Sequence, residues 1–253
     1  MNWDRQIKAN ASQRGFTLVE MSIVLVIIGL ILGAVSIGKD LQRDAEYAKI
    51  KQKFVDQWVQ AYNVYFQRAG VVIGDDQTKP RFMVNGANYA AEATLPISGG
   101  NMKMVAGPAQ ICEPAGTASP SLHAFMDQLG VRMPPGRAEG SEDRYLYLDS
   151  NGNPQEVQVC FQWNNPETAS GSGNMMVLKG LTPDLARALD QMIDGKADAR
   201  EGVFRQESVG NDTSGVAGIQ WAGNNTTAFG ATDSDNQDED QVMIVTAHYK
   251  MNQ

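Results

Sequence analysis

Two cysteines, Cys112 and Cys160, are the residues of this chain that could form a covalent cross-link. Neither lies in a spacing of cysteines and histidines typical of a metal site. In an exported protein such thiols pair, whereas in a reducing compartment they stay free. A bridge would close a loop of roughly 50 residues and would contribute about 4 kcal/mol to the free energy of unfolding. The sequence therefore predicts a Cys112–Cys160 disulfide if the chain is exported.

A run of carboxylates between residues 233 and 240 is a candidate cation site. Five of these eight residues are acidic, and carboxylate oxygens at alternating positions are ligands that Ca²⁺ prefers. The run lacks the glycine and the spacing of a known calcium loop, so a solvated acidic loop is the alternative. We consider no other cofactor for this chain. The residues that would hold calcium are Asp233, Asp235, Asp238 and Asp240.

A dense turn cluster contains Asp149, Asn151 and Asn153, which have part of the spacing of an EF-hand loop. The glycine position and the terminal glutamate do not fit, which favours a turn over a calcium loop. The two histidines, His123 and His248, have no neighbouring cysteine or carboxylate motif, and we expect structural roles for both. There is no glycine-rich phosphate loop and no nucleophile elbow. We therefore predict that the chain is not an enzyme.

The composition excludes several classes of protein. Hydrophobic residues make up 42% of the 253 residues and charged residues 20%, which argues against a disordered chain and against a polytopic membrane protein. The formal net charge is −8, and it becomes −10 without residues 1–15, which carry three cations and one carboxylate. An acidic body of this kind argues against nucleic acid as a main partner.

Residues 16–38 form an apolar segment whose only charged residue is Glu20. As a helix this segment would be about 35 Å long, which is enough to cross the hydrocarbon core of a bilayer. The alternative is an ordinary secretory signal peptide, for which residues 34–36 offer a small-x-small cleavage site. The apolar run is longer than such a peptide needs, and no break in helical character follows it.

A second helical pattern continues from the apolar segment without proline or glycine over residues 39–69, and Gly70 then supplies a stop. Apolar residues recur in it at three- and four-residue spacing. Residues 16–69 are therefore predicted to form one helix, roughly 80 Å long. A signal peptide has no reason to continue into an amphipathic helix, whereas a membrane anchor that leads to a globular head does. The apolar positions are Leu41, Ala45, Ala48, Ile50, Phe54, Val55, Trp58, Ala61, Tyr62 and Tyr65.

The sequence Arg-Gly-Phe-Thr-Leu-Val-Glu at residues 14–20, followed by the apolar run, resembles the class III leader of type IV prepilins and pseudopilins. The resemblance implies that a prepilin peptidase cleaves between Gly15 and Phe16 on the cytoplasmic face and methylates the new amine of Phe16. It also implies that inner-membrane assembly machinery polymerises the subunit with copies of itself or with other pilins.

Glu20 lies four residues beyond this cleavage site, about 6 Å along a helix from the new amine. In a bilayer the carboxylate could reach the headgroups, but in the dry centre of a filament an isolated carboxylate would be costly. The natural partner is the Phe16 amine of a neighbouring subunit. The resemblance implies the same role for Glu20, which would set the axial register of incoming subunits.

The rest of the chain predicts a β-rich head. Alternation over residues 144–163 indicates a hairpin that puts Cys160 on the face opposite the core. A bridge to Cys112 would therefore tie the preceding loop across the outer side of the sheet. Residues 121–130 and 183–194 predict two short helices, the first with Ser121 as cap and the second with Thr182 as N-cap and Gly195 as stop. Residues 242–249 predict a buried final strand. The segments that we expect to be long loops are 164–176 and 206–241.

The predicted fold is α+β, with a long N-terminal helix packed on an antiparallel sheet of four to six strands. The predicted divisions are a leader at 1–15, a filament-core helix at 16–38, an amphipathic helix at 39–70 and a head at 71–253. The resemblance implies a subunit of a type IV pilus or related filament that serves adhesion, motility, DNA uptake or secretion. It would span the inner membrane once before assembly into an extracellular or periplasmic filament. The alternatives are a type II secretion pseudopilin and a secreted or periplasmic binding module.

Overall fold

The computed structural model describes residues 16–89, 107–113, 121–149, 151–207, 220–221 and 244–252. The chain divides into two compact units, one up to Arg43 and one from Asp44 onwards. In the first unit, α1 (Leu18–Ile50) begins close to the predicted cleavage site. All side chains from residue 16 to residue 35 are exposed.

The helical run continues from α1 through one π-helical turn, Lys51–Val55, into α2 (Asp56–Ala69). In this turn the N–H of Asp56 donates to the carbonyl of Lys51, five residues back. The Lys51 Nζ lies 3.0 Å from the Asp56 carboxylate, an ion pair with the same spacing. The extra residue of a π turn lets two consecutive residues, Phe54 and Val55, both enter the core. Apolar periodicity predicted the helix but not this turn.

Gly70 ends α2 as predicted. Its φ of 74° is left-handed, a conformation that costs glycine little, and its N–H donates to the carbonyl of Phe66 at 2.8 Å.

The described residues of the head form one antiparallel sheet with five strands in the order β1-β2-β3-β5-β4. The C-terminal strand β5 therefore lies between β3 and β4. The strands are β1 (Arg144–Leu148), β2 (Pro154–Asn164), β3 (Gly173–Leu181), β4 (Phe204–Gln206) and β5 (Val245–Lys250). A β-bulge in β3 falls at Gly180, where a side chain would collide with the Glu156 carbonyl. The predicted α+β fold is confirmed.

The core lies between the helix and one face of this sheet. The rings of Trp58 and Tyr62 lie 6.3 and 5.3 Å from that of Phe161 in β2. Phe54 in the π turn lies 5.4 Å from Tyr145 in β1. All of these positions match the apolar stripe and the alternation that the sequence predicts, because both patterns mark the surface turned towards the core.

Two further helices occur where the sequence predicts them. In α3 (Leu122–Gln128) the Ser121 side chain accepts a hydrogen bond from the N–H of Ala124, and in α4 (Pro183–Asp194) the Thr182 side chain accepts one from the N–H of Leu185. Gly195 ends α4 with a φ of 78°.

Other predicted boundaries were wrong. The loop expected at 164–176 is shorter, because Asn164 belongs to β2 and residues 173–176 belong to β3. The glycines and asparagine there resemble a loop, but strand pairing overrides that composition. Within the described residues the final strand begins at Val245, and Ile244 before it is exposed rather than buried. Residues 242 and 243 lie outside the described residues. Strand β4 was not predicted, and most of the loop expected at 206–241 lies outside the described residues.

Candidate functional site

The N-terminus of α1 carries a capping box formed by Thr17 and Glu20. The backbone N–H and the hydroxyl of Thr17 both donate to Glu20 Oε2 at 2.8 Å, and the N–H of Glu20 lies 3.2 Å from the Thr17 hydroxyl oxygen, which accepts. Such reciprocal bonds satisfy donors that a helix N-terminus otherwise leaves without partners. In the single chain, therefore, Thr17 provides two donors to Oε2 of Glu20.

Phe16 is 84% exposed, and Gly15 lies outside the described residues. The predicted processing of this pair therefore stays a prediction.

The part of α1 that follows the capping box is an unburied apolar surface. The described residues contain one helical run, Leu18–Ala69, with a stretch long and apolar enough to cross a membrane, by length and composition alone. An exposed apolar surface of this size indicates contact with a membrane or with another protein. Its large exposed residues include Met21, Ile23, Leu25, Val26, Leu30, Leu32, Val35 and Ile37.

Cys112 and Cys160 form the predicted disulfide, and their Cα atoms are 4.6 Å apart. Ile111 and Phe161 exchange two backbone hydrogen bonds, of 2.8 and 2.9 Å. Such an antiparallel pair is followed by a non-hydrogen-bonded pair whose Cα atoms lie about 4.5 Å apart, and the two cysteines occupy that place. The disulfide thus fixes residues 107–113 along the edge of β2 beyond the end of β1.

Cys160 lies on the face opposite Phe161, as its position in the strand predicts. It is nevertheless fully buried, in a small cluster with Met175 and Val177 on the outer face of the sheet. The bridge was expected to cross the outer side of the sheet. It instead joins neighbouring segments at the sheet edge, because residues 107–113 pair with β2.

His248 on β5 also lies buried on this outer face. Its Nδ1 is 2.6 Å from the Ser170 hydroxyl and 3.1 Å from the Asn164 amide nitrogen. Burial, assisted by the Lys179 charge, lowers the pKa of His248 to about 4. The ring is therefore neutral at pH 7, and Nδ1 can accept from both donors. These bonds hold the β2–β3 loop against the sheet.

His123 lies among three carboxylates that the sequence did not bring together. Its Nδ1 is 3.8 Å from Glu113 and 3.7 Å from Glu142, and its Nε2 is 3.5 Å from Asp143. Burial raises the pKa of Asp143. The carboxylates surround both ring nitrogens rather than converging on one of them. Among the described residues, no group of three or more His, Cys, Asp or Glu side chains could hold a metal ion.

The two candidate calcium segments have different outcomes. One Asp149 carboxylate oxygen accepts from the N–H groups of Asn151 and Asn153 at 2.9 and 2.8 Å, which confirms the predicted turn. The acidic run at residues 233–240 lies outside the described residues.

Comparison with models of protein families matches residues 10–36 to the prokaryotic N-terminal methylation motif. The match contains the predicted cleavage site, Glu20 and most of the exposed apolar stretch of α1. No curated protein and no solved structure matches this chain.

Proposed function

We propose that the chain is a structural subunit of a type IV pilus or a related filament. The premise is that it carries the N-terminal methylation motif, a class III prepilin leader that indicates the type IV pilin and pseudopilin family. The observation that carries the proposal is that this motif leads directly into a helix whose side chains from residue 16 to residue 35 are all exposed. The function is mechanical, and the head provides the outer surface of the filament.

Processing comes first in the proposed sequence of events. A prepilin peptidase cleaves between Gly15 and Phe16 and methylates the Phe16 amine. Cleavage removes three cations and one carboxylate and leaves a free amine at the start of the apolar helix. Before assembly this helix spans the inner membrane once, with its apolar side chains in the hydrocarbon core.

Assembly then exchanges lipid contacts for contacts between helices. Lipid is as apolar as the side chains of α1, so the hydrophobic effect alone does not drive the helix out of the bilayer. Close packing against other copies and pairing of polar groups in a dry surrounding supply specificity. Gly29 and Gly33 leave open space beside the α1 backbone and so permit close approach of a neighbouring helix.

Glu20 is the polar group that assembly would use. In the single chain Thr17 donates two hydrogen bonds to Oε2 of this carboxylate, which lowers the cost of holding the charged group near lipid before assembly. One carboxylate oxygen can accept more than one donor. The Phe16 amine of a neighbouring subunit can therefore pair with Glu20 at the position where the two helices are in register, and a subunit displaced along the axis loses that pair.

The disulfide and the folded head fit an exported protein, because structural disulfides persist in oxidising compartments. The proposed location is therefore the inner membrane before assembly and an extracellular or periplasmic filament afterwards. A type II secretion pseudopilin would use the same anchor and assembly chemistry.

The decisive experiment is to determine the N-terminus of the mature protein. The full chain is expressed in a bacterium that has a prepilin peptidase and a pilus assembly machinery, and the membrane and sheared filament fractions are analysed by intact mass and N-terminal sequencing. We expect N-methylated Phe16 as the first residue. A Gly15→Val variant, which places a branched side chain at the cleavage site, should retain residues 1–15.

A mature chain that begins at Ile37 would contradict the proposal and would support a soluble module with an ordinary signal peptide. The amount of the chain in the sheared fraction then distinguishes a pilus subunit from a type II secretion pseudopilin. An abundant pilus subunit dominates that fraction, whereas a pseudopilin stays with the cell envelope.

A further inference from the structure

A concave surface on the outer face of the sheet carries two cations, at the edge formed by β4 and β5. Arg205 in β4 pairs with His248 in β5, and alternation along β5 puts Lys250 on the same face as His248. The β2–β3 loop folds back over this face, where the Ser170 hydroxyl lies 2.6 Å from His248. Strand edge and loop together enclose the surface.

The cavity between this loop and the edge of the sheet has a volume of about 250 Å³. This is smaller than the roughly 300–1,000 Å³ of a drug-sized pocket, so its occupant is a small group or the end of a larger molecule. The chemically relevant lining residues are Thr168, Ser170, Gly171, Ser172, Arg205 and Lys250.

The charges in this cavity are unusual for so acidic a chain, whose formal net charge is −8. Within the part of the chain that the structure describes, neither Arg205 nor Lys250 forms an ion pair. The Nε of Arg205 donates to the carbonyl of Gly202 at 2.8 Å, which orients the guanidinium. This bond does not use the two terminal nitrogens, so they can donate to a ligand. Two positive charges that line one concavity, with no carboxylate paired to either among the described residues, favour an anion.

The loop keeps the space beside these cations open. At Gly171, whose φ is 103°, an added Cβ would lie 3.7 Å from Arg205 Nη1, so a larger residue there would narrow the cavity next to the guanidinium. His248 is neutral at pH 7 because of its burial and therefore adds no charge. It orients the loop through Ser170.

We propose that this cavity binds a divalent tetrahedral oxyanion, that is, a phosphate or sulfate group, alone or at the end of a larger molecule. The planar fork of an arginine matches two oxygens of such a group, and a lysine adds a point charge. Hydroxyl groups of the β2–β3 loop line the same space. The charge of the group, close to −2 at pH 7.5, equals the charge of the two cations. Anion binding in this cavity does not require filament formation.

Isothermal titration calorimetry on the full chain in a non-ionic detergent tests this proposal. Sodium phosphate, sodium sulfate and sodium acetate are titrated at pH 7.5 against a chloride background of equal ionic strength. We expect a dissociation constant on the order of 1 mM for phosphate, for sulfate or for both, and no saturable heat for acetate. Tighter binding of phosphate than of sulfate, or the reverse, shows whether a larger ligand would carry a phosphate ester or a sulfate ester.

Three variants separate a built site from general attraction to cations. Arg205→Gln and Lys250→Gln should each weaken binding at least about tenfold, and Arg205→Lys should restore part of the Arg205→Gln loss. Lys53→Gln removes the same charge from an exposed position in the π turn and should change the dissociation constant by less than about twofold. Near-ultraviolet circular dichroism confirms that each variant is folded. Absence of saturable binding in the unsubstituted chain, or equal losses in Lys250→Gln and Lys53→Gln, would overturn the proposal.

Discussion

The carboxylate of Asp190 accepts a hydrogen bond from the indole N–H of Trp221 at 2.9 Å, although both side chains are fully buried. The same oxygen accepts from the backbone N–H of Asp198 at 2.6 Å. Trp221 also packs on Phe204 of β4, with ring centroids 5.4 Å apart. One acidic residue of α4 thus connects the helix, the loop that follows it and a buried tryptophan.

Asp190 should make the stability of the head depend on pH. Burial raises the pKa of Asp190 to about 7 in the folded chain, above the value of about 3.9 in the unfolded chain. Between these two values the folded state binds more protons, so the free energy of unfolding should fall as pH rises from about 4 to about 7. The expected loss is about 2–4 kcal/mol, measured by urea unfolding of the full chain in detergent at several pH values.

Asp190→Asn should remove most of this pH dependence, because an amide keeps an acceptor oxygen for Trp221 but does not ionise. Compared with the unsubstituted chain, the variant should unfold at the same or a higher urea concentration at pH 8. Asp127→Asn, at an exposed position, is the matched control and should leave the pH profile unchanged. A steep profile that persists in Asp190→Asn would refute the assignment.

Phe161 should be a dominant residue of the core, because Trp58 and Tyr62 both pack on it. Phe161→Ala leaves a cavity and should lower the free energy of unfolding by about 3–5 kcal/mol. Leu146 in β1 is 48% exposed, so Leu146→Ala should cost no more than about 1 kcal/mol. The midpoints of urea unfolding compare the two variants, and similar midpoints would contradict the packing of Trp58 and Tyr62 on Phe161.

The disulfide should stabilise the head by about 2–4 kcal/mol. Reducing the disulfide, or replacing both cysteines with serine, should lower the midpoint of urea unfolding by a corresponding amount. Residues 107–113 then lose their covalent link to β2 and keep the backbone bonds of Ile111. The double-serine variant provides the control, because reductant should have no effect on it. An unchanged midpoint in the reduced chain would show that the bridge adds no stability.

Local signals in the sequence were sufficient for much of the fold. The cap residues Ser121 and Thr182 and the stop residues Gly70 and Gly195 act on neighbouring backbone groups, so their positions fix helix ends without reference to the rest of the chain. The hairpin of β1 and β2 was predictable for the same reason, since its turn and both of its strands are consecutive.

Features that depend on distant residues were not predictable. The short strand β4 forms only because β5 supplies a partner, and its three residues carry no usable alternation. The carboxylates around His123 come from two separate segments, one with Glu113 and one with Glu142 and Asp143, and they meet α3 only when the head has folded. For the N-terminal site, the residue types and their order indicated Glu20, but the bonds between Glu20 and Thr17 were seen only in the structure. The sequence signal for these bonds was a capping-box pattern at residues 17–20.

Calcium binding by the acidic run at residues 233–240 stays a prediction that thermal unfolding can test. If the run binds Ca²⁺, about 1 mM CaCl₂ should raise the melting temperature of the full chain by about 2–4 °C, and chelator should reverse the rise. Magnesium at equal concentration is the control for ionic strength. Asp235→Asn combined with Asp238→Asn should abolish the effect. An unchanged melting temperature on adding chelator to the calcium-loaded protein would remove calcium from consideration.

Glu20→Ala should leave cleavage after Gly15 intact and should reduce the yield of sheared filaments by at least about tenfold, which corresponds to about 1.4 kcal/mol per added subunit. Without the carboxylate, the Phe16 amine of a neighbouring subunit enters the dry filament core without a partner.

Glu20→Gln should assemble nearly as poorly, because an amide has no charge to pair with that amine. Thr17→Val removes one donor to Glu20 but keeps the charge, and it should therefore assemble better than either Glu20 variant. Filament yield is measured by quantitative mass spectrometry of the sheared fraction, relative to the processed chain in the membrane. If Glu20→Ala forms filaments at the normal yield, Glu20 has no role in register.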